Sequence, residues 1–285
     1  MSRTARRPMA HPDSRLMKQL VRTVITLLGL LTGAAPALAA QTNRPTLFII
    51  GDSTVRNGTK GQRGWGEEIA AHFDTGPVAV ANHAIGGRSS RTFLTGGRWA
   101  KVWSALQPGD FVLIQFGHND GGTPDDKQRA RGSIRGTGDE SREIDNPITQ
   151  KKEFVQSYGW YLRKYVRETK AAGATPVICS PVPRNIWKEG RVARATNDYG
   201  KWAAEIARSE QAVFLDLNEL IARRYEMLGA DQVKALFYGD HTHTSPEGAR
   251  LNAMIVMEGL KALPGDPLQP LLRHESIPNV PAVEK

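Results

Sequence analysis

Five short apolar segments without internal alternation are the feature that most restricts how this chain can fold. They span residues 46–50, 78–81, 111–114, 176–178 and 213–215. A strand with one face in water alternates apolar and polar side chains, whereas a strand covered on both faces does not. The pattern therefore predicts buried strands of a parallel sheet that lies between two layers of helices.

Segments with helical periodicity fill most of the gaps between these strands. We predict a final helix that begins near Ser245, with Ser245 as its cap and Pro246 in its first turn. The other predicted helices span residues 66–73, 98–105, 151–172, 195–209 and 217–228. The expected fold class is a three-layer α/β/α domain with a flavodoxin-like five-stranded parallel sheet, whose functional side chains lie on loops at the carboxyl ends of the strands.

The first forty residues have the layout of a secretory signal peptide. Basic residues precede an apolar run at 24–31, and residues 37–40 read Ala-Leu-Ala-Ala, which contains an A-x-A cleavage site. The run is shorter than the roughly 20 apolar residues that span a bilayer. We expect translation to start at Met17, the signal to be removed, and residues 41–285 to form a single domain, secreted or periplasmic, without stable membrane association.

The formal net charge of +9 does not indicate nucleic-acid binding. Residues 1–40 contain six basic residues and one acid, which leaves 32 basic and 28 acidic residues in the remainder. An excess this small is ordinary. The single cysteine, Cys179, excludes an intramolecular disulfide and a zinc site built from several cysteines, and its place in an apolar strand predicts a buried, inert side chain.

One long segment, residues 121–149, shows no periodicity and is rich in glycine and in charges of both signs. Loops of this length in a compact domain are either functional or disordered, and the simpler interpretation is a solvated flap. The Pro-rich tail from residue 264 is expected to wrap around the surface or to fray.

Chemically useful side chains follow three of the predicted strands and precede the last helix. Ser53 lies in a Gly-Asp-Ser-Thr turn, Gly87 in a Gly-Gly-Arg loop, and Asn119 in a Gly-His-Asn-Asp segment; Asp240 and His243 belong to Asp-His-Thr-His. Each segment alone is an ordinary turn or loop. Because the carboxyl ends of parallel strands share one edge of a sheet, their side chains can converge there.

Taken together and in this order, these segments resemble the four sequence blocks of the SGNH (GDSL) hydrolase superfamily, and more closely its rhamnogalacturonan acetylesterase branch. The resemblance covers residues 46–262, and the Gly-Trp-Gly-Glu run at 64–67 and the run at 117–122 are also similar to that branch. It implies the SGNH hydrolase fold and a serine esterase without metal or other cofactor. The matched positions are the nucleophile Ser53, the oxyanion donors Ser53, Gly87 and Asn119, and the triad partners Asp240 and His243.

The same residues form a coherent catalytic set on chemical grounds. A serine hydroxyl is a weak nucleophile that needs a neighbouring base, and His243 is the best placed of the seven histidines. Asp240, three residues earlier, is close enough to orient the other nitrogen of that ring. The backbone N–H groups of Ser53 and Gly87 and the Asn119 amide are suitable donors to an oxyanion, each worth about 2.7 to 4 kcal/mol.

A metal hydrolase is the main rival enzyme class. His118, Asp120, Asp240, His241 and His243 offer oxygen and nitrogen ligands, but their spacing matches no helical metal motif. We expect His118 and His241 to be structural, with hydrogen bonds to the loop backbone around the triad. A cysteine nucleophile is disfavoured, because a reactive thiolate needs an exposed, electropositive setting.

The expected substrate is an acetylated polysaccharide or oligosaccharide. Arg88, Arg91 and Arg184 make the surrounding loops basic, and Trp65 and Trp187 offer rings for sugar stacking, which together favour an acidic polymer such as pectin or rhamnogalacturonan. Two alternatives stay open: a lipase or lysophospholipase of the same superfamily, which needs an apolar acyl groove, and a carbohydrate-binding protein without catalysis.

Overall fold

A computed structural model describes residues 44–73, 76–263 and 268. These residues belong to a compact unit that starts at Arg44. The predicted signal peptide and the proposed start at Met17 lie outside the described residues, as does nearly all of the Pro-rich tail. In the described part, no helix is long and apolar enough to cross a membrane.

A five-stranded parallel sheet forms the centre of the described unit. Its strands are β1 (Thr46–Gly51), β2 (Ala79–Asn82), β3 (Phe111–Gln115), β6 (Thr175–Cys179) and β9 (Val213–Leu215), in the order β2-β1-β3-β6-β9. Two two-stranded antiparallel sheets accompany it: β4 (Ser141–Asn146) with β5 (Lys151–Gln156), and β7 (Trp187–Lys188) with β8 (Arg191–Val192). The prediction of a five-stranded parallel sheet in a flavodoxin-like order is confirmed, but burial of all five strands is not: the outer strands β2 and β9 are mostly half-buried.

Helices cover both faces of this sheet. They are α1 (Ser90–Thr95), α2 (Arg98–Trp103), α3 (Tyr158–Ala171), α4 (Tyr199–Ser209), α5 (Leu217–Leu228), α6 (Ala230–Ala235) and α7 (Pro246–Lys261). One hydrophobic cluster joins Leu47 and Leu113 to side chains of α5 and α7, and the other joins Phe48 and Ile114 to side chains of α1 to α4. Because successive strand residues point to opposite faces, two separate cores result.

The final helix begins where the sequence predicts. Ser245 has extended backbone angles, and its hydroxyl accepts a hydrogen bond from the Gly248 N–H at 3.2 Å, while Pro246 occupies the first helical position. This cap fixes the direction in which residues 240–244 enter the helix.

Two predicted helices are wrong in part. Residues 66–73 form two short 3-10 turns, Trp65–Glu67 and Ile69–His72, rather than one helix. The helix expected over 151–172 begins only at Tyr158, because the preceding residues pair with β4 as strand β5. An antiparallel partner supplied by the long loop satisfies the backbone of those residues, which local periodicity does not reveal.

The long segment 121–149 is therefore not simply a solvated flap. It contains β4, and buried Arg91 on α1 holds it in place through hydrogen bonds to the carbonyls of Pro124 and Gly132 at 2.9 and 2.8 Å. The same guanidinium forms a two-pronged ion pair with Glu153 on β5 at 2.7 and 2.8 Å. This arrangement fixes the loop beside the carboxyl edge of the sheet.

Candidate active site

Ser53 lies in the turn that follows β1. A Cβ at Gly51 would approach the Gln115 carbonyl oxygen to 2.8 Å, so glycine is required where β1 ends beside β3. The Asp52 carboxylate accepts hydrogen bonds from the Thr54 N–H and hydroxyl at 2.9 and 2.8 Å. These bonds close the turn and hold the half-buried Ser53 at the carboxyl edge of the sheet.

Asp240 and His243 form a compact loop ahead of α7. One oxygen of the Asp240 carboxylate accepts from the Thr242 and His243 N–H groups at 2.7 and 2.8 Å, and the other lies 2.7 Å from His243 Nδ1. The carboxylate thereby holds both the backbone and the ring of the histidine three residues later. The His243 ring cannot rotate without losing one of these contacts.

Tertiary structure brings this loop to Ser53. The distance from Ser53 Oγ to His243 Nε2 is 2.8 Å, across 190 positions of sequence. The Thr244 carbonyl accepts from the Arg63 N–H at 2.9 Å, and the Thr244 hydroxyl donates to the Arg63 carbonyl at 2.7 Å. These two bonds tie the loop before α7 to the chain that follows β1, and so fix the serine-to-histidine distance.

The Asp240 carboxylate is ionised, and its contacts with His243 favour that state. Partial burial raises its pKa, but hydrogen bonds from the His243 ring and from the His243 and Thr242 backbones outweigh burial and hold the pKa below its usual value. The side chain is 40% exposed, so hydrogen bonds rather than a dry environment orient it. An ionised carboxylate at Nδ1 leaves Nε2 as the nitrogen that accepts a proton from Ser53.

Gly87 and Asn119, the predicted oxyanion donors, line the same cavity as Ser53. Gly87 has a φ of +76°, a conformation that favours glycine, and it precedes α1, which Ser89 caps. The buried Asn119 amide donates one hydrogen bond to the Arg88 carbonyl at 2.8 Å. Since an amide nitrogen carries two hydrogens, the second is available to a ligand. No other described residue accepts a hydrogen bond from the Ser53 or Gly87 N–H.

These residues share one open cavity of about 680 Å³. Its lining side chains include three arginines, Arg88, Arg129 and Arg131, and no carboxylate. None of the three forms an ion pair with another described residue. Burial, and then the neighbouring Arg129 charge, lower the pKa of Arg131. Arg129 and Arg131 were not among the predicted substrate-binding residues; their signals in the sequence are their place in the long loop and, for Arg131, the Arg-Gly-Ser run at 131–133.

Several predicted substrate-binding residues lie elsewhere. Trp65 is 0% exposed and its indole N–H donates to Gln115 Oε1 at 2.8 Å, so the expected role in sugar stacking is wrong. Arg91 is equally buried and serves the ion pair with Glu153. Arg184 lines a second cavity, and Trp187, half-buried and bonded to Asn185, does not line the cavity that contains Ser53. Of the arginines predicted to bind substrate, only Arg88 lines the cavity that contains Ser53.

Tyr238 is an exposed aromatic residue, next to a cavity-lining side chain, that the sequence did not single out. The residue is 53% exposed, and its ring lies so close to Gly61 that a Cβ there would come within 2.6 Å of it. The Tyr238 N–H donates to the His243 carbonyl at 3.0 Å, and its carbonyl accepts from Gln62, a cavity-lining residue, at 2.9 Å. These contacts fix the Tyr238 backbone beside that of His243.

The remaining histidines of the two motifs are not arranged around an ion. His241 is exposed and its backbone carbonyl accepts from the Asn185 N–H at 2.8 Å, while His118 lines the second cavity. Within the described residues, no group of three or more His, Cys, Asp or Glu side chains is arranged to hold a metal ion. Cys179 is buried in β6, and burial raises the pKa of its thiol, as expected of an inert side chain.

Comparison with known proteins agrees with this geometry. Residues 49–251 match the model of the GDSL-like Lipase/Acylhydrolase family. A rhamnogalacturonan acetylesterase of Emericella nidulans is 34% identical over 238 residues, which cover 83% of this chain and 89% of that protein. A probable rhamnogalacturonan acetylesterase of Bacillus subtilis, YesY, is 29% identical over 76% of this chain and 93% of its own length.

Solved structures show the same fold. Protein YxiM of Bacillus subtilis superposes with a TM-score of 0.61 at 25% identity, over 76% of this chain and 56% of that one. A variant of an acetyl-xylooligosaccharide esterase from Geobacillus has a TM-score of 0.50 at 19% identity, over 76% and 92% of the two chains. Because the family model matches most of this chain, the chain belongs to the GDSL-like lipase/acylhydrolase family and is a serine carboxylic ester hydrolase.

Proposed function

We propose that this enzyme removes acetyl groups from an acidic plant cell-wall polysaccharide, rhamnogalacturonan or pectin, through an acetyl-enzyme on Ser53. Two relatives that match most of the chain bear the name rhamnogalacturonan acetylesterase. The observation that carries the proposal is the cavity that holds Ser53 and His243 together with three arginines and no carboxylate. A polymer with carboxylates next to its acetyl esters supplies the charge that this cavity lacks.

The reaction follows from the serine, histidine and aspartate contacts. Ser53 Oγ attacks the acetyl carbonyl carbon while its proton passes to His243 Nε2, and Asp240 stabilises the imidazolium. Collapse of the tetrahedral intermediate passes that proton to the sugar oxygen, which leaves as an alcohol. A water molecule then attacks the acetyl-serine with His243 as base, and acetic acid leaves as Ser53 regains its proton.

In this proposal, three donors stabilise the oxygen that becomes negative in the reaction. The Ser53 and Gly87 N–H groups and the second Asn119 amide hydrogen lie at the ends of β1, β2 and β3, which are neighbours in the sheet. Donors fixed by the fold need no reorganisation as the charge develops. Tyr238, exposed beside His243, supplies a ring on which the sugar of the leaving group can stack.

The cavity does not suit a lipid substrate. Apart from glycines, its lining consists of polar and charged side chains: Ser53, Asn57, Thr59, Gln62, Arg88, Thr92, Asn119, Arg129, Arg131 and His243. A long acyl chain gains its binding energy from apolar contact area, about 25 cal/mol per Å², which this lining does not provide. We therefore favour a sugar acetyl ester over a lipase or lysophospholipase substrate.

Secretion is part of the proposal, because the polymer lies outside the cell that makes the enzyme. The support is the signal-like pattern of residues 1–40, which lie outside the described structure. Amino-terminal sequencing of the mature protein should start near Ala40 or Gln41. A mature chain that retains residues 17–40 would contradict export by a cleaved signal.

Acetate release from a substrate panel tests the function. We expect acetylated rhamnogalacturonan to be the best substrate, acetylxylan a poorer one, and long-chain p-nitrophenyl esters to react hardly at all. Ser53→Ala should lower kcat by about 10⁴-fold or more while the protein stays folded, because it removes the nucleophile. A preference for long acyl chains would support the lipase alternative, and oligosaccharide binding without acetate release would support a non-catalytic binding protein.

A further inference from the structure

A second cavity, of about 320 Å³, opens at the same edge of the sheet. Its walls come from the segments that follow β3 and β6, from Arg135 of the long loop and from the start of α4. His118 lines this cavity, and the next residue, Asn119, lines the cavity that contains Ser53. Since consecutive Cα atoms lie about 3.8 Å apart, the two cavities adjoin.

Three side chains of this cavity have buried polar atoms without a hydrogen-bond partner. They are His118 Nε2, Asp198 Oδ1 and Tyr199 Oη, half of the six such atoms in the described residues. Buried polar groups in folded proteins are nearly always paired with protein, water or ligand. Tyr199 is only 7% exposed, so bulk water does not satisfy its hydroxyl. Side chains that line this cavity thus retain hydrogen-bonding capacity that the fold itself does not use.

The protonation states point to hydroxyl groups as partners. Burial raises the pKa of the Tyr199 phenol, which therefore keeps its proton at neutral pH. Arg135 lies over the Tyr199 and Trp202 rings, 5.7 and 5.2 Å from their centroids, yet no group meets hydrogen-bond geometry at the Tyr199 hydroxyl. Burial also lowers the pKa of His118, which is neutral at the same pH. A neutral phenol, a neutral imidazole and a carboxylate oxygen are partners for sugar hydroxyls, which both donate and accept.

We propose that this second cavity is a sugar-binding subsite for another unit of the polysaccharide whose acetyl ester reacts at Ser53. The inference rests on the proposed function, because only a polymeric substrate occupies both cavities at once. The polysaccharide would run along the carboxyl edge of the sheet, from the end of β1 towards the end of β6. Arg184, at the border of the second cavity and in no ion pair with a described residue, is placed to meet a carboxylate of that unit.

Removal of one hydroxyl tests the subsite. Tyr199→Phe deletes only Oη and keeps the ring contacts with Tyr158 and Trp202, whose centroids lie 5.0 and 4.9 Å away. We expect the ratio of kcat/KM on acetylated rhamnogalacturonan to kcat/KM on p-nitrophenyl acetate to fall roughly 2- to 10-fold, the value of one neutral hydrogen bond. Tyr225→Phe, which removes another buried hydroxyl outside both cavities, should leave this ratio at the wild-type value.

Binding measured without turnover separates the subsite from the reaction. In the Ser53→Ala variant, calorimetry with unacetylated rhamnogalacturonan oligosaccharides should show an affinity that rises with oligosaccharide length. Adding Tyr199→Phe to that variant should weaken the binding of the longer oligosaccharides only. If Tyr199→Phe changes neither the substrate ratio nor this affinity, the cavity holds only water and the subsite is refuted. A wild-type enzyme that hydrolyses p-nitrophenyl acetate but not the polymer would instead contradict the proposed function, whatever the binding result.

Discussion

At the scale of single residues, Asp240 and His243 form a unit that four consecutive positions can build almost alone. The aspartate accepts two backbone N–H bonds from its own loop and contacts the ring at 2.7 Å. Because these contacts are local, the orientation of the histidine does not depend on a distant strand. Only the approach to Ser53 depends on the fold, through the bonds between Thr244 and Arg63.

Asn119 has both a structural and a proposed catalytic role, and a mutation can separate them. Asn119→Ala removes the bond to the Arg88 carbonyl and, with it, one proposed oxyanion donor. We expect kcat on an acetyl ester to fall about 10²- to 10³-fold with little change in KM, because the lost contact forms mainly in the transition state. Steady-state kinetics and thermal melts of the variant measure the two effects.

The matched control is Asn146→Ala. Asn146 is a buried asparagine whose amide donates to Glu153 Oε2 at 2.6 Å, away from the Ser53 cavity. It should lower the Tm and leave kcat near the wild-type value. If Asn119→Ala behaves in the same way, Asn119 only ties the two loops together and is not an oxyanion donor.

At the scale of elements, a buried carboxylate joins the long loop to the sheet edge. Asp120, at the end of the β3 segment, accepts hydrogen bonds from the Ser90 N–H and hydroxyl on α1 and from the Ser133 hydroxyl on the loop. Burial raises its pKa to about 6, although the serine hydrogen bonds oppose this. The loop that carries Arg129 and Arg131 is therefore attached to a group that titrates near neutral pH.

This titration predicts how stability changes with pH. With a folded pKa of about 6 and an ordinary value of 3.8, the folded protein binds more protons than the unfolded chain between these pH values. The contribution of Asp120 to stability is thus full below about pH 4 and is lost as pH rises through 6. Asp120→Asn removes the titrating group. From pH 4 to pH 7, the free energy of unfolding of the wild type should therefore decrease by about 2 to 3 kcal/mol more than that of the variant.

Urea unfolding of both proteins at several pH values measures this difference. Any constant offset between them reports the changed hydrogen bonds, whereas only a difference that varies with pH reports the carboxylate. Parallel stability curves across pH 4 to 7 would show that Asp120 has an ordinary pKa in the folded protein.

At the scale of the whole molecule, we expect the three arginines around Ser53, which form no ion pair with a described residue, to matter more for substrate choice than the net charge does. Arg131→Gln should raise KM on acetylated rhamnogalacturonan about ten-fold, since a charge-assisted hydrogen bond is lost, and should weaken the dependence of KM on salt. KM on p-nitrophenyl acetate, which has no carboxylate, should change less. Initial rates at several NaCl concentrations provide the measurement.

Arg208→Gln is the control for the loss of one positive charge. Arg208 lies near the end of α4 (Tyr199–Ser209) and lines neither the Ser53 cavity nor the second cavity. The KM of the Arg208→Gln variant, and the dependence of that KM on salt, should match those of the wild type. Equal effects of the two substitutions would mean that the overall field of the protein, rather than the cavity, attracts the polymer.

Much of this architecture can be read from local sequence patterns. β1, β3 and β6 are largely buried on both faces, so their apolar runs mark them directly. The Ser-Pro start of α7 and the extent of α5 (Leu217–Leu228) follow from capping and periodicity. The order of the four motifs was enough to identify the family, and with it the fold and the ester hydrolase activity.

The sequence alone determined the candidate catalytic residues, whereas tertiary structure decided which other side chains line the same cavity. Trp65 and Arg91 resemble surface ligands in sequence but are buried, and Arg129 and Arg131 resemble a solvated flap but line the cavity. The reason is physical: a strand or a cap depends on neighbours within a few residues. The orientation of a loop depends on partners far along the chain, such as Glu153 for Arg91 and Ser133 for Asp120, whose contacts exist only once the sheet has formed.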